Sequence, residues 1–219
     1  MLRDLLARER LGPLDRRVAL RALQEPWCWP PDGELVAEFL RRHGISKARP
    51  VPGLGSTCLL AVSPGASRAT LHSFSAGRTD APVRLPLRGA ALEALGLARR
   101  VALRDLQLVG RSVTVPPVGD WFAEPVIRVG DGADQVLDGD SFGLSMCLAV
   151  ASLVLGRPVP VEVCASAEID VEGRLHRVGG LGAKLDLLAN AALGITRLLV
   201  GHGQEREALL LGQRWPVLA

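Results

Sequence analysis

The stretch that most constrains this chain is Phe142–Leu155, a run in which every side chain is apolar or small. Gly156 closes it and Pro158 follows, the punctuation of a helix stop. The run lacks the alternation of a half-buried strand. As a helix it reaches about 21 Å, short of the roughly 30 Å hydrocarbon core of a bilayer. It is therefore read as a helix buried inside a soluble protein. Immediately before it stands Leu137-Asp138-Gly139-Asp140-Ser141, which puts Ser141 at the helix N-terminus. Free backbone N–H groups there can stabilise an oxyanion, as a serine nucleophile requires. Serine is also a favoured N-cap, and for a serine taken alone the cap is the stronger reading.

Lys184 changes that balance. It lies 43 residues beyond Ser141, after Gly179-Gly180, at the start of a second expected helix that ends near Gly194. Leu181, Leu185, Leu188 and Ala192 have the spacing of one buried face. Lys184 falls inside that face, where lysines are rare. Desolvation there disfavours the ammonium and makes the amine a base near neutral pH. Of the 26 basic residues only Lys47 and Lys184 are lysines; the other 24 are arginines. Arginine does not deprotonate in proteins, so it cannot replace a lysine base. The plainer alternative is a lysine that snorkels to the surface over an apolar stem.

With both residues in view, Val136–Val200 resembles the proteolytic domain of the Lon proteases, serine peptidases with a Ser–Lys dyad. Asp138-Gly139-Asp140-Ser141 looks like the nucleophile motif. Gly179-Gly180-Leu181-Gly182-Ala183-Lys184 and Gly194-Ile195-Thr196-Arg197-Leu198-Leu199-Val200 fall where the family has their counterparts. The resemblance extends more loosely over residues 55–205. It implies an α+β catalytic domain of the superfold shared with a ribosomal protein and the GHMP kinases, preceded here by a small helical segment. It also implies supporting roles for Asp140, which matches the archaeal type of Lon, for Ser166, where the family has a threonine that bonds the lysine, and for Glu168. Phe142 departs from the small residue usual after the nucleophile and is expected to narrow or cover the substrate cleft. Trp121 and Phe122 are expected to line it.

The remaining features set bounds. A length of 219 residues allows one large domain with a small appendage; the division expected is 1–50, helical segment and linker, and 51–219, catalytic domain. A net charge of +3 is too mild to argue for nucleic acid. Cys28, Cys58, Cys147 and Cys164 form no CxxC pair and read as core thiols of a reducing compartment. The first ten residues are charged and lack the apolar stretch of a signal peptide, so a cytoplasmic protein is expected. Asp131, Asp134, Asp138 and Asp140 lack calcium-loop spacing, and neither metal nor cofactor is expected. His176 is the histidine nearest the dyad in sequence, but no aspartate orienting it can be named.

Further along the chain, a hairpin is expected from Thr57–Val62 and Arg68–Ser75 around Ser63-Pro64-Gly65. A strand near 82–87, a helix over 89–104, a strand near 107–115 and an irregular stretch over 118–140 follow. Residues 159–169 alternate as one half-buried strand, turned at Glu172-Gly173 into a partner holding Leu175, His176 and Arg177.

No G-x-x-x-x-G-K-[ST] occurs in the chain, so an ATP-driven motor of that type is not expected from these residues. The leading expectation is an ATP-independent endopeptidase acting on unfolded or specific protein substrates. The tryptophans of segment 1–50 would first of all pack on the catalytic domain, the alternative being that the segment docks a substrate, a partner protein or an ATPase in trans. A homo-oligomer stays open, and neither nucleic acid nor membrane is expected as a partner. The alternatives are a catalytically silent Lon-like interaction or regulatory module, marked by Phe142 blocking the serine, and last a nucleic-acid-binding Lon-like domain.

Overall fold

The computed structural model describes residues 53–62, 69–76, 87–107, 114–125, 137–188 and 195–212. The helices expected before residue 50 and nearly all of the strand near 82–87 lie outside the described residues. Residues 108–113 of another expected strand lie outside them too; Gln107 belongs to the preceding helix, and Thr114 and Val115 have no regular structure.

The expected hairpin is present. β1 (Ser56–Val62) runs antiparallel to β2 (Ala69–Ala76), with Thr57 opposite Phe74 and Leu59 opposite His72. β3 (Trp121–Pro125) joins the far side of β2, where an irregular stretch was expected. The segment is short and begins just after Pro116-Pro117, so its alternation is too brief to read. Long-range pairing supplies what local propensity does not.

α1 (Gly89–Gln107) and α2 (Gly143–Leu155) pack against each other and against one face of this sheet. Leu59, Phe74 and Ala123 from the sheet meet Leu95 and Ala98 of α1 and Met146, Ala149 and Val150 of α2 in one core. Each large apolar side chain buried there contributes about 1.5–3 kcal/mol. α2 ends as expected, with Gly156 in the left-handed conformation at φ 65°.

The single strand expected over 159–169 is instead two, β4 (Val163–Ser166) and β5 (Glu168–Ile169). Pro158 and Pro160 have no N–H to give a ladder, which keeps the preceding residues out of it. Cys164 to Ala167 are buried on both sides, not alternately. The reason is that β4 pairs in parallel with β7 (Arg197–Val200), lies beside β1 and packs against α2. β5 and β6 (Leu175–His176) form the second expected hairpin, with Gly173 at φ +87° in its turn.

α3 (Leu181–Leu188) covers the sheet face opposite α1 and α2, and α4 (Glu205–Gly212), not anticipated from sequence, packs against it. The architecture is thus the mixed α+β class expected. Among the described residues no helix is long and apolar enough to cross a membrane.

Candidate active site

Ser141 lies two residues before α2, in a turn closed by the Gly143 N–H donating to the Asp140 carbonyl at 3.0 Å. The N-cap position is Phe142, with no side-chain cap bond. The capping alternative for Ser141 therefore does not hold. Ser141 is half-buried, and among the described residues it makes no side-chain hydrogen bond.

The first turn of α2 is docked on β4 and β5 by three successive residues. A Cβ on Gly143 would lie 2.8 Å from Ile169 Cγ2 and 3.0 Å from the Ile169 nitrogen, so only glycine permits this approach. The Leu144 N–H donates to the Ala167 carbonyl at 3.0 Å, and Ser145 Oγ donates to the Ala165 carbonyl at 2.7 Å. Between those two carbonyls stands Ser166.

Ser166 is fully buried and accepts a 2.8 Å hydrogen bond from Lys184 Nζ. Lys184 is 1% exposed, on the buried face read from its spacing with Leu181, Leu185 and Leu188. Desolvation lowers its pKa from 10.5 to about 8. Cys164 opposes this only as a thiolate, a form that its own burial suppresses. The Asp140 carboxylate also opposes it, and so favours the ammonium.

The loop before α3 sets where the lysine enters. Gly180 has φ +69°, and a Cβ on it would lie 2.9 Å from Val62 Cγ2. The Lys184 N–H then donates to the Gly180 carbonyl at 3.1 Å to open the helix. Gln204, 2% exposed at the foot of α4, accepts from the Val178 N–H at 2.8 Å and donates to the Val178 carbonyl at 2.9 Å. Sequence reasoning missed Gln204 and Ser145, since neither stands in a local pattern that singles it out.

Other expected residues are placed differently. The three aromatics expected along a cleft are all buried. Phe142 (2% exposed) and Trp121 (5%) belong to the main core, where Trp121 stacks on Phe74 with ring centroids 5.2 Å apart. Apolar burial outweighs exposure for both rings. Phe122 is 7% exposed and alternates to the other sheet face. Asp140 is exposed, and Glu168 is half-buried on β5 opposite His176.

His176 does have an aspartate: its Nε2 lies 2.8 Å from Asp170 Oδ2. Asp170 also accepts from the Arg174 side chain and from the Glu172 and Arg174 N–H groups. The hydrogen bond with His176, then those from Arg174, hold its carboxyl well below the usual range. This is an exposed network stitching the β5–β6 turn.

Asp138, first of the acidic motif residues, accepts from the Ala90 N–H at 2.8 Å and so caps α1. Asp131, Asp134 and Cys28 lie outside the described residues. Among the described residues no group of three or more His, Cys, Asp or Glu converges to hold a metal. Cys58, Cys147 and Cys164 are free thiols, and burial raises Cys58 to about 12 and Cys147 to about 11.

The segment that carries these residues is similar in sequence to known proteins. Residues 123–210 match the family profile of the Lon protease (S16) C-terminal proteolytic domain. The resemblance to that domain is thereby borne out. The chain is similar to the Lon protease of Salinispora arenicola, 30% identical over 199 residues that make up 89% of this chain and 25% of that protein. It is 29% identical over 199 residues to Lon protease 1 of Thermus thermophilus, covering 87% and 24%. Over 74 residues it is 44% identical to the Lon protease of Clostridioides difficile, covering 34% and 9%. The chain thus spans about a quarter of the length of the first two of these relatives.

Proposed function

We propose that this chain is a serine endopeptidase in which Ser141 is the nucleophile and Lys184 its general base. The observation that carries this reading is a lysine 1% exposed with its pKa lowered to about 8, on the loop-and-helix segment that the Lon profile matches. The neutral amine donates one N–H to Ser166 Oγ and keeps its lone pair for the Ser141 proton. The resulting alkoxide attacks the peptide carbonyl. Because the Gly143 and Leu144 N–H groups already serve Asp140 and Ala167, the oxyanion is received by those of Ser141 and Phe142. The Lys184 ammonium, steadied by the Asp140 charge, returns its proton to the leaving amine. Water, deprotonated by the same lysine, then hydrolyses the acyl-enzyme. Glu168 supports the β5 framework.

The broader reading follows the same line. Residues 51–219 form the catalytic domain, of the ribosomal-protein and GHMP-kinase-like superfold, and 1–50 a helical segment that precedes it. Hydrolysis by these residues uses no ATP of its own, takes place in the cytoplasm, and acts on protein or peptide substrates. No observation favours a silent module, since the ring of Phe142, its expected structural sign, lies in the core.

The test is intact-mass labelling with a fluorophosphonate from pH 6 to 9, on the unaltered protein and on Ser141→Ala and Lys184→Ala. A single adduct lost in both variants is expected. Labelling that survives Ser141→Ala overturns the assignment.

A further inference from the structure

We infer that Ser145 is a positioning residue for this reaction: its buried hydroxyl couples the turn bearing Ser141 to the strand residue that holds Lys184. The inference rests on the Ser–Lys reading above and deepens it.

Ser145 is fully buried in the first turn of α2. A helical serine ordinarily bonds back to the carbonyl three or four residues earlier, which here means Phe142 or Ser141. Ser145 instead donates across to the Ala165 carbonyl at 2.7 Å, while the adjacent Leu144 N–H takes the Ala167 carbonyl at 3.0 Å. These two bonds grip β4 and its extension on either side of Ser166. The Ser166 hydroxyl holds Lys184 Nζ at 2.8 Å. One short path therefore runs from Ser141 through the first turn of α2, the Ser145 hydroxyl and the backbone at Ala165 to Ser166 and the amine. The Leu144 bond is made by backbone and survives any substitution. The Ser145 bond is the part that the side chain decides. Without it the Ala165 carbonyl is a buried acceptor lacking that partner, and it draws in water or shifts. Either change moves Ser166 relative to Ser141 and rehydrates Lys184. Displacements on the scale of an ångström in such a site slow chemistry by up to about a hundredfold.

The test compares Ser145→Ala, Ser145→Thr and Ser145→Val in the full chain. Thr and Val share one shape, so their difference reads the hydroxyl and not the added methyl. Two readouts are taken. The first is the pH profile of fluorophosphonate labelling. The second is the NMR titration of Lys184 Nζ, assigned with Lys47→Arg, since the chain has only these two lysines. Ser145→Ala and Ser145→Val are expected to label about tenfold more slowly at pH 8 and to titrate Lys184 nearer the ordinary lysine value, with Ser145→Thr restoring both. A lower melting temperature with the Lys184 titration unmoved would show a purely structural serine and overturn the inference. If the unaltered protein takes no label, the peptidase reading fails, while the titration still decides whether Ser145 sets the environment of Lys184.

Discussion

Replacing Lys184 by Met should make the fold more stable at neutral pH while abolishing labelling of Ser141. The magnitude follows from the burial of the amine. Its pKa is lowered from 10.5 to about 8, and at 1.36 kcal/mol per pH unit, holding it protonated in the folded state costs roughly 3 kcal/mol at pH 7. Methionine has nearly the same length and no charge. It loses the bond to Ser166, worth about 1 kcal/mol, so the variant should gain about 2 kcal/mol at pH 7. The sign of the pH dependence is fixed by the lowered pKa. Between pH 8 and 10.5 Lys184 binds more protons in the unfolded chain than in the folded one, so its own contribution to the stability of the unaltered protein rises through that window. The penalty is present in full below pH 8. At pH 10 it falls below about 1 kcal/mol, and the advantage of the variant should vanish. Urea unfolding at pH 7, 8.5 and 10 measures this, with Trp121 a buried fluorescent probe stacked on Phe74. Buried thiols also respond in this window, since burial raises Cys58 to about 12 and Cys147 to about 11. Their contribution is common to both proteins, so the quantity read is the gap between variant and unaltered protein. A variant less stable than the unaltered protein at pH 7, or a gap that does not shrink toward pH 10, refutes the reasoning.

Asp138→Ala should cost about 1 kcal/mol by uncapping α1, and Asp138→Asn much less, with Ser141 labelling kept in both at matched folded fraction; thermal melts and labelling together decide this. Gly180→Ala should cost about 1–3 kcal/mol, because φ +69° strains any side chain and the new Cβ meets Val62 at 2.9 Å; chemical denaturation reads it, and an unaffected midpoint would refute it. His72, 2% exposed, has its pKa lowered from 6.5 to about 4 by burial, and its Nδ1 has no partner among the described residues. The unfolded chain binds the proton between those values, so stability should fall by roughly 3 kcal/mol as pH drops from 6.5 to 4. His72→Leu should flatten that part of the stability curve, and a variant that keeps the full slope would place the proton elsewhere.

Periodicity and punctuation made α1, α2 and α3 legible, but not α4. The apolar run and Gly156 marked α2 to within a residue, and Ser63-Pro64-Gly65 marked the β1–β2 hairpin. β3 was not legible, because a strand of five residues is defined by its register on β2. The break between β4 and β5 was hidden for a related reason. The alternation from Val159 to Ile169 is real, but two prolines and contacts from β7, β1 and α2 decide which part of it pairs. The burial of the aromatic residues was not legible from their place in the sequence. Phe142, Trp121 and Phe122 drew attention by their place near Ser141, and apolar burial took all three inside.

Lys184 and Ser145 show what separates a readable site residue from a silent one. Both are buried polar residues on apolar helical faces, and each bonds a partner brought in by the fold, 18 residues away for Lys184 and 20 for Ser145. A charged side chain on such a face violates the pattern by several kcal/mol, so its presence demands a reason before any partner is known. A serine violates it by far less, since its hydroxyl can bond its own helix. The size of the desolvation cost is what makes a residue conspicuous in sequence. Residues that merely hold a site together, such as Ser145 and Gln204, carry small costs and long-range partners, and they emerge only when those partners are on hand.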